Sequence, residues 1–313
     1  MKVSLWRLAI LLMFLLPHLS HAQDLAGYGS LGTLGLIHTR HPMNSHHPLA
    51  QQLLGIWRVI PGLEGGGSWY DPIGNHHGTL TNMTCAGCGF RGSGRQGAHG
   101  EMSFDGASTY VNMQDLTIWD FPNTTFTVAC WFRTTFTGGT QYLVARRVGT
   151  GGGGWFLRLN ADGTLTARIL DAGNIPTVER ITTTTGLVDG NWHQVTTLFT
   201  TDTTTVANND VSIWIDGQQN QGSAGTAGGA YAICVGGSGC PLTFGSLSDQ
   251  QAGSFLLGSL DDVRLYSRGI AASEIADSIQ LARRGDPGLL NYGSFASPAL
   301  SAIATGSFSP FFQ

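Results

Sequence analysis

The segment Phe126-Thr-Val-Ala-Cys-Trp-Phe-Arg133 gives the clearest indication of how this chain folds. Apolar residues alternate along it, so that Phe126, Val128, Cys130 and Phe132 fall on one face of an extended segment. A hydrophobic period of two is the pattern of a β-strand that turns one face to a core. We therefore predict a strand here and ask whether the flanking sequence supplies partners for it.

Short apolar stretches alternate with clusters of Gly, Asn, Asp and Thr on both sides of this strand, as in a β-sandwich or barrel. The tripeptide Ala161-Asp162-Gly163 and the dipeptide Asp216-Gly217 are typical hairpin turns between such strands. One late segment, 271–284, has helical spacing, with Ser273 and Glu274 near its start. The pattern predicts an all-β, two-sheet antiparallel β-sandwich with one short C-terminal helix. Further strands are predicted at 155–160, 164–170, 191–199, 210–215 and 256–266.

The N-terminal residues have the order of a secretory signal peptide. Lys2 and Arg7 precede the apolar run 8–16, and Ser20-His21-Ala22 supplies small residues for cleavage. An uncleaved anchor is the alternative, although the run is shorter than the roughly 20 residues that span a bilayer. We expect a secreted or cell-surface protein. The predicted divisions are a signal peptide at 1–22, a linker or N-terminal arm at 23–50, a β-sandwich at 51–287 and an uncharged tail at 288–313.

The charge composition excludes two classes of partner. The formal net charge is −4, charged residues make up 12% of the chain, and its one lysine is Lys2. Such a chain has no basic field to attract nucleic acid or an anionic membrane. Gly, Ser and Pro interrupt the apolar residues of the tail, so we expect no membrane span after signal cleavage. The expected partner is a glycan or a surface protein.

Five cysteines follow the predicted signal peptide. In an exported protein the default expectation is disulfide bonds. Cys234 and Cys240 enclose a short glycine-rich loop, and Cys85 and Cys88 are three residues apart, so two local disulfides are predicted. Zinc held by these four cysteines is the alternative. Cys130 lies within the apolar face of the central strand and is predicted to be a buried free thiol.

Several segments together resemble the laminin-G-like domains of bacterial and phage surface proteins. The resemblance runs from near Leu53 to Asp286 and implies a concanavalin A-like jelly roll. That fold hosts lectins, glycosidases and adhesion modules, so function has to be argued from a site. The segments that carry the resemblance are Leu63-Glu-Gly-Gly-Gly67, Tyr70-Asp-Pro-Ile-Gly-Asn-His-His-Gly-Thr-Leu-Thr-Asn82, Phe104-Asp-Gly-Ala-Ser-Thr-Tyr-Val111, Asn191-Trp-His-Gln-Val195, Ile213-Trp-Ile-Asp-Gly217, and Gly258-Ser-Leu-Asp-Asp-Val-Arg-Leu-Tyr-Ser-Arg268 with Ser273-Glu-Ile275.

The resemblance also implies a calcium site. Members of the family often bind Ca²⁺ near the opening Asp-x-x-Gly-Asn loop and the closing Asp-Asp strand, which here are Asp71, Asn75, Asp261 and Asp262. Carboxylate and amide oxygens are the ligands that Ca²⁺ prefers. The alternative is that Asp71 and Asn75 cap a turn, while one closing aspartate pairs with a nearby arginine.

Carbohydrate binding is the leading functional prediction, because sugars stack on aromatic faces beside polar side chains. Trp131 points away from the predicted core face and either lines an open sheet or fills a second core layer. The aromatic residues predicted in loops beside Gly, Asn and Asp are Trp69, Tyr70, Trp119, Trp155 and Tyr231.

An enzymatic function has less support. Retaining glycosidases place two carboxyl groups about 5 Å apart. The four glutamates, Glu64, Glu101, Glu179 and Glu274, are far apart in sequence. We therefore expect a binding module that is not an enzyme, and its rival is a structural or adhesion protein that binds protein partners.

Overall fold

The computed structural model describes residues 46–59, 67–92, 95, 100–149, 152–235 and 239–283. The predicted signal peptide, most of the predicted arm, Glu64 and the predicted tail lie outside these residues. The described residues contain the following elements: β1 Leu53–Trp57, β2 Ser68–Trp69, β3 Gly78–Thr81, β4 Gly89–Arg91, β5 Glu101–Asp105, β6 Tyr110–Asn112, β7 Thr125–Arg133, β8 Gln141–Arg146, β9 Gly154–Leu159, β10 Leu165–Leu170, β11 Pro176–Ile181, β12 His193–Thr200, β13 Asp210–Ile215, β14 Gln218–Gln219, β15 Thr243–Phe244, β16 Leu257–Tyr266 and the helix α1 Ala272–Arg283.

The strands form two antiparallel sheets, which confirms the predicted sandwich. Sheet A has the order β14-β13-β12-β7-β16-β5-β4, and β1 pairs with the second half of β16. Sheet B has the order β11-β10-β9-β8-β15-β6-β3-β2. The predicted central strand, β7, lies between β12 and β16 in sheet A.

The core lies between the two sheets, and β7 turns its predicted face into it. Phe126 stacks on Phe199 of β12, with ring centroids 4.9 Å apart. The ring of Trp155, from sheet B, lies 5.0 Å from that of Phe126. Cys130 is a buried free thiol, as predicted. Burial raises the pKa of this thiol far above its ordinary value, so it stays protonated.

Helix α1 covers the outer face of sheet A. Ile275 packs in a cluster with Ile56 and Tyr266, while Ile279 packs against Trp131. Trp131 therefore fills a second core layer and is only 7% exposed. The second of the two predicted alternatives for this side chain is the one observed.

The predicted turns and disulfides are present. Asp216 and Gly217 both have positive φ, +50° and +87°, as a two-residue hairpin loop between β13 and β14 requires. Two disulfides join Cys85 to Cys88 and Cys234 to Cys240. All four cysteines thus take part in the two predicted disulfides. Within the described residues, no helix is long and apolar enough to cross a membrane.

Candidate functional site

A cleft of about 540 Å³ opens where three loops meet: those that precede β7, follow β12 and connect β14 to β15. Its volume falls within the roughly 300–1,000 Å³ of small-ligand sites. The lining combines apolar carbon surface with hydroxyl groups. Residues that face the cleft include Thr117, Pro122, Thr203, Tyr231, Ile233 and Val235.

A buried arginine at the end of β8 binds the floor of this cleft. The Arg146 Nε atom lies 2.8 Å from Asp120 Oδ1, and its Nη1 atom lies 3.0 Å from Asp115 Oδ1. The same side chain, 2% exposed, donates to the backbone carbonyl of Cys240. A buried cation needs such partners to offset its lost hydration. Arg146 was not among the predicted site residues, although an arginine at the end of the apolar strand β8 was a signal in the sequence.

A disulfide bond fixes one wall of the cleft. Cys234 lies between Ile233 and Val235, which are 39% and 64% exposed, and its disulfide to Cys240 closes a short loop. Tyr231 connects this wall to the floor of the cleft, because its buried hydroxyl donates to the backbone carbonyl of Asp120. Burial raises the pKa of Tyr231, so the hydroxyl remains a donor. The cleft is therefore largely pre-formed.

The aromatic residues predicted to stack on sugars divide into two groups. Trp69, Trp119 and Trp155 are fully buried, so the prediction that they face a ligand is wrong. Trp119 and Trp155 instead lie in the core, where Trp155 Nε1 donates to the Trp119 carbonyl at 3.1 Å. Tyr231 is among the residues that line the cleft, although only 2% of it is exposed. Tyr70 is 45% exposed and stacks on His77, with ring centroids 3.9 Å apart.

Asp71, the first predicted calcium ligand, is buried in a turn that its carboxylate organises. Its two oxygens accept four hydrogen bonds of 2.9–3.1 Å from backbone amides. Asn75, the second predicted ligand, occupies a positive-φ position of this turn at +59°. The amides that bind Asp71 are those of Ile56, Ile73, Gly74 and His76.

Asp261 and Asp262, the other predicted ligands, lie on β16 among arginines. Arg264 contacts both oxygens of Asp262 at 2.7 Å, and Arg58 lies 3.6 Å from the same carboxylate. Arg95 donates to Asp261 Oδ2 at 3.0 Å. Burial alone would raise the pKa of Asp262, but the Arg264 and Arg58 guanidiniums outweigh it, so its pKa lies well below the usual range. This group of five charged side chains is the buried ion cluster.

Calcium binding by these four residues stays a prediction, and the contacts lead us to expect a negative result. A calcium ion would have to displace amides from Asp71 or arginines from Asp262. We expect the melting temperature to differ by less than about 1 °C between excess calcium and EDTA. A site filled at 100 times its Kd would add about 2.7 kcal/mol, which is several degrees. A rise of that size, lost in Asp71→Asn, would contradict this expectation.

His193, at the start of β12, bridges two aspartates that lie on different loops. Its Nδ1 atom lies 2.9 Å from Asp216 Oδ2, and its Nε2 atom lies 3.2 Å from Asp189 Oδ1. The hydrogen bond to Asp216 is the main reason that the pKa of His193 is raised above 6.5. Because the folded-state pKa is the higher one, this stabilisation is complete below pH 6.5 and is lost as pH rises through the folded-state value.

We therefore predict that His193→Gln destabilises the protein more at pH 5.5 than at pH 8.5. Urea unfolding of both proteins at the two pH values measures the difference. Asp216→Asn should remove most of the pH dependence, since it removes the partner that raises the pKa. Equal destabilisation by His193→Gln at both pH values would refute the assignment.

Comparison with known proteins identifies the family of the fold. The family model described as the concanavalin A-like lectin/glucanases superfamily matches residues 105–276. This match covers more than half of the 313 residues. A search of curated proteins finds no match.

Solved structures with a similar fold include binding domains and an enzyme. The binding domain of Paraclostridial Mosquitocidal Protein 1 is 16% identical with a TM-score of 0.50, and the match covers 73% of this chain and 52% of that one. Trypanosoma rangeli sialidase in complex with 2,3-difluorosialic acid is 18% identical with a TM-score of 0.49, over 74% of this chain and 33% of that one. This chain spans only about a third to a half of those proteins, and at such identities the likeness is one of fold.

Proposed function

The chain belongs to the concanavalin A-like lectin/glucanase superfamily, and on that premise we propose that it is a secreted or surface-displayed carbohydrate-binding module. The cleft lined by Tyr231, Ile233 and Val235 is the observation that carries this proposal. A sugar ring presents C–H faces to apolar side chains and hydroxyl groups to hydrogen-bonding partners. The cleft offers both kinds of surface.

The proposed ligand contacts follow from the lining. Ile233 and Val235 supply carbon surface on one wall, and Thr117 and Thr203 add hydroxyl oxygens. The Thr203 hydroxyl donates to Asn123 Oδ1 at 3.0 Å and offers a ligand its acceptor capacity. Since Arg146 and the Cys234–Cys240 disulfide fix the cleft walls, little ordering is needed on binding. The two disulfides also suit an extracellular location, where such bonds persist.

Binding without hydrolysis is part of the proposal, and the described glutamates support it. Glu101 pairs with Arg133 at 2.7 Å, and Glu274 pairs with Arg268 at 2.6 Å. Glu179 pairs with Arg168. Each of these carboxylates is thus committed to an arginine, whereas a glycosidase needs two that flank its substrate.

A glycan array probed with the full chain and two variants tests the proposal. Ile233→Gln changes the cleft wall, and Leu257→Gln makes a comparable change at a residue of similar exposure on β16, 42% against 39%. We expect Ile233→Gln to weaken binding to the best glycan more than about tenfold, or about 1.4 kcal/mol. Leu257→Gln should bind like the wild type.

Two results would contradict carbohydrate binding in the cleft. One is an array without any signal above background. The other is equal binding by wild type and both variants, which would place the glycan elsewhere. If a protein partner is recovered instead and Ile233→Gln loses it, the cleft serves the rival adhesion function.

A further inference from the structure

Three arginines converge on one phenylalanine at the outer face of sheet B. Phe156 of β9 is fully buried, and the guanidinium carbons of Arg147, Arg158 and Arg168 lie 5.4, 5.3 and 5.5 Å from its ring centre. The strand register causes this convergence, because Phe156 stands directly opposite Arg168 of β10. We call these three residues the arginine cluster.

The arginine cluster is short of negative charge. Arg168 pairs with Glu179 on the neighbouring strand β11. Among the described residues, Arg147 and Arg158 donate hydrogen bonds to neutral groups. Arg147 donates to Asn174 Oδ1 at 3.1 Å, and both Arg147 and Arg158 donate to the Tyr142 hydroxyl, at 3.1 and 3.3 Å. One carboxylate thus faces three cations.

Unpaired donors and a lowered pKa show that this arrangement is energetically unfavourable. The Nε atoms of Arg158 and Arg168 are buried without a hydrogen-bond partner. Burial, and then the charges of Arg158 and Arg147, lower the pKa of Arg168 to about 10. Stacking on the Phe156 ring stabilises a guanidinium, but it supplies no negative charge to balance three cations.

A bound oxyanion would supply the negative charge and the hydrogen-bond acceptors that the arginine cluster lacks. A guanidinium presents its N–H donors in a planar fork that matches the two oxygens of a carboxylate or the edge of a sulfate. The Arg168 side chain is 21% exposed, so the cluster is partly desolvated and still within reach of a ligand. Since the whole chain carries a net charge of −4, an anion would be attracted by this local group and not by a general positive field.

We propose that the arginine cluster is a second ligand site that binds an acidic saccharide through its carboxylate or sulfate group. The sugar part of this inference rests on the proposed carbohydrate function, while the anion part rests on the three guanidiniums alone. Tyr142 orients two of the arginines through its hydroxyl group, and Glu179 orients the third. The site lies on the face of sheet B, whereas the cleft lies among loops.

Titration calorimetry with three oligosaccharides tests the inference. The probes are a heparin-derived oligosaccharide with sulfate groups, an oligogalacturonate with carboxylates only, and a neutral maltooligosaccharide. We expect at least one acidic probe to bind, and to bind more weakly as NaCl rises from about 50 to 500 mM. Comparable affinity for the neutral probe would overturn the proposal, as would no binding of either acidic probe.

The variants separate this site from a general charge effect. Arg147→Gln with Arg158→Gln should reduce affinity for the acidic probe more than tenfold, whereas Arg158→Lys alone should keep most of it. Arg180→Gln is the control. The Arg180 side chain is 19% exposed, close to the 21% of Arg168, and lies on the same strand as Glu179. It donates to the Val211 and Gly222 carbonyls and is not part of the arginine cluster. Thermal unfolding of each variant checks that it is folded. Equal loss in Arg180→Gln and in the Arg147→Gln, Arg158→Gln double variant would refute a defined site.

The outcomes also separate this inference from the cleft proposal. If Ile233→Gln abolishes binding of the acidic probe while the arginine variants retain it, the arginine cluster is excluded and the cleft proposal stands. If the arginine variants lose the acidic probe while no glycan requires Ile233, the arginine cluster is supported and the cleft proposal fails.

Discussion

Replacement of Asp262 with alanine is expected to lower the free energy of unfolding by about 3–5 kcal/mol. The carboxylate is 3% exposed and contacts Arg264 at 2.7 Å, Arg95 at 3.5 Å and Arg58 at 3.6 Å. Its removal leaves buried guanidiniums with too little negative charge. The residue also has φ of +50° at a β-bulge, a conformation that alanine adopts less readily than aspartate.

Urea unfolding of Asp262→Ala measures this loss, and Asp210→Ala provides the contrast. Asp210 pairs with Arg180 at 3.1 Å, but its side chain is 56% exposed. An exposed pair of this kind contributes about 0–1 kcal/mol, so its loss should be small. Similar destabilisation by the two variants would show that the buried ion cluster is not the stabilising feature we infer.

Replacement of Trp155 with alanine is expected to cost about 3–5 kcal/mol, because a large cavity opens between the sheets. Its indole lies 5.0 Å from the Phe126 ring and 5.6 Å from the Phe199 ring, and it has no exposed surface. Tyr70→Ala removes an aromatic ring that is 45% exposed and should cost much less. If the two variants unfold at similar urea concentrations, the assignment of Trp155 to the core is wrong.

The strand pattern was readable from sequence because it is local. Alternating residues of β7 show which side chains share a face, and Asp216-Gly217 has the turn chemistry of its hairpin. Alternation does not show whether the second face is open or covered. Trp131 is buried because α1, which follows β7 by more than 130 residues, packs over it.

The site contacts could not be predicted from sequence, because the residues that contact each other are far apart in the chain. Asp261 and Asp262 resemble metal ligands when read alone, yet Arg95 reaches Asp261 across 166 positions of the chain. The arginine cluster likewise depends on the register of β8, β9 and β10, which brings its members to one ring. Trp119 was misplaced for a related reason, since a loop residue can still turn its side chain into the core.

Hydrogen exchange of the full chain, measured with and without its best array glycan, shows directly whether the ligand of this binding module enters the cleft. Mass spectrometry of peptides resolves which backbone amides become protected. We expect protection to be largest in segments 117–123, 201–205 and 231–235 of the wild type, and to be absent from these segments in Ile233→Gln. Protection confined to other segments, or no change at a saturating glycan concentration, would contradict the account.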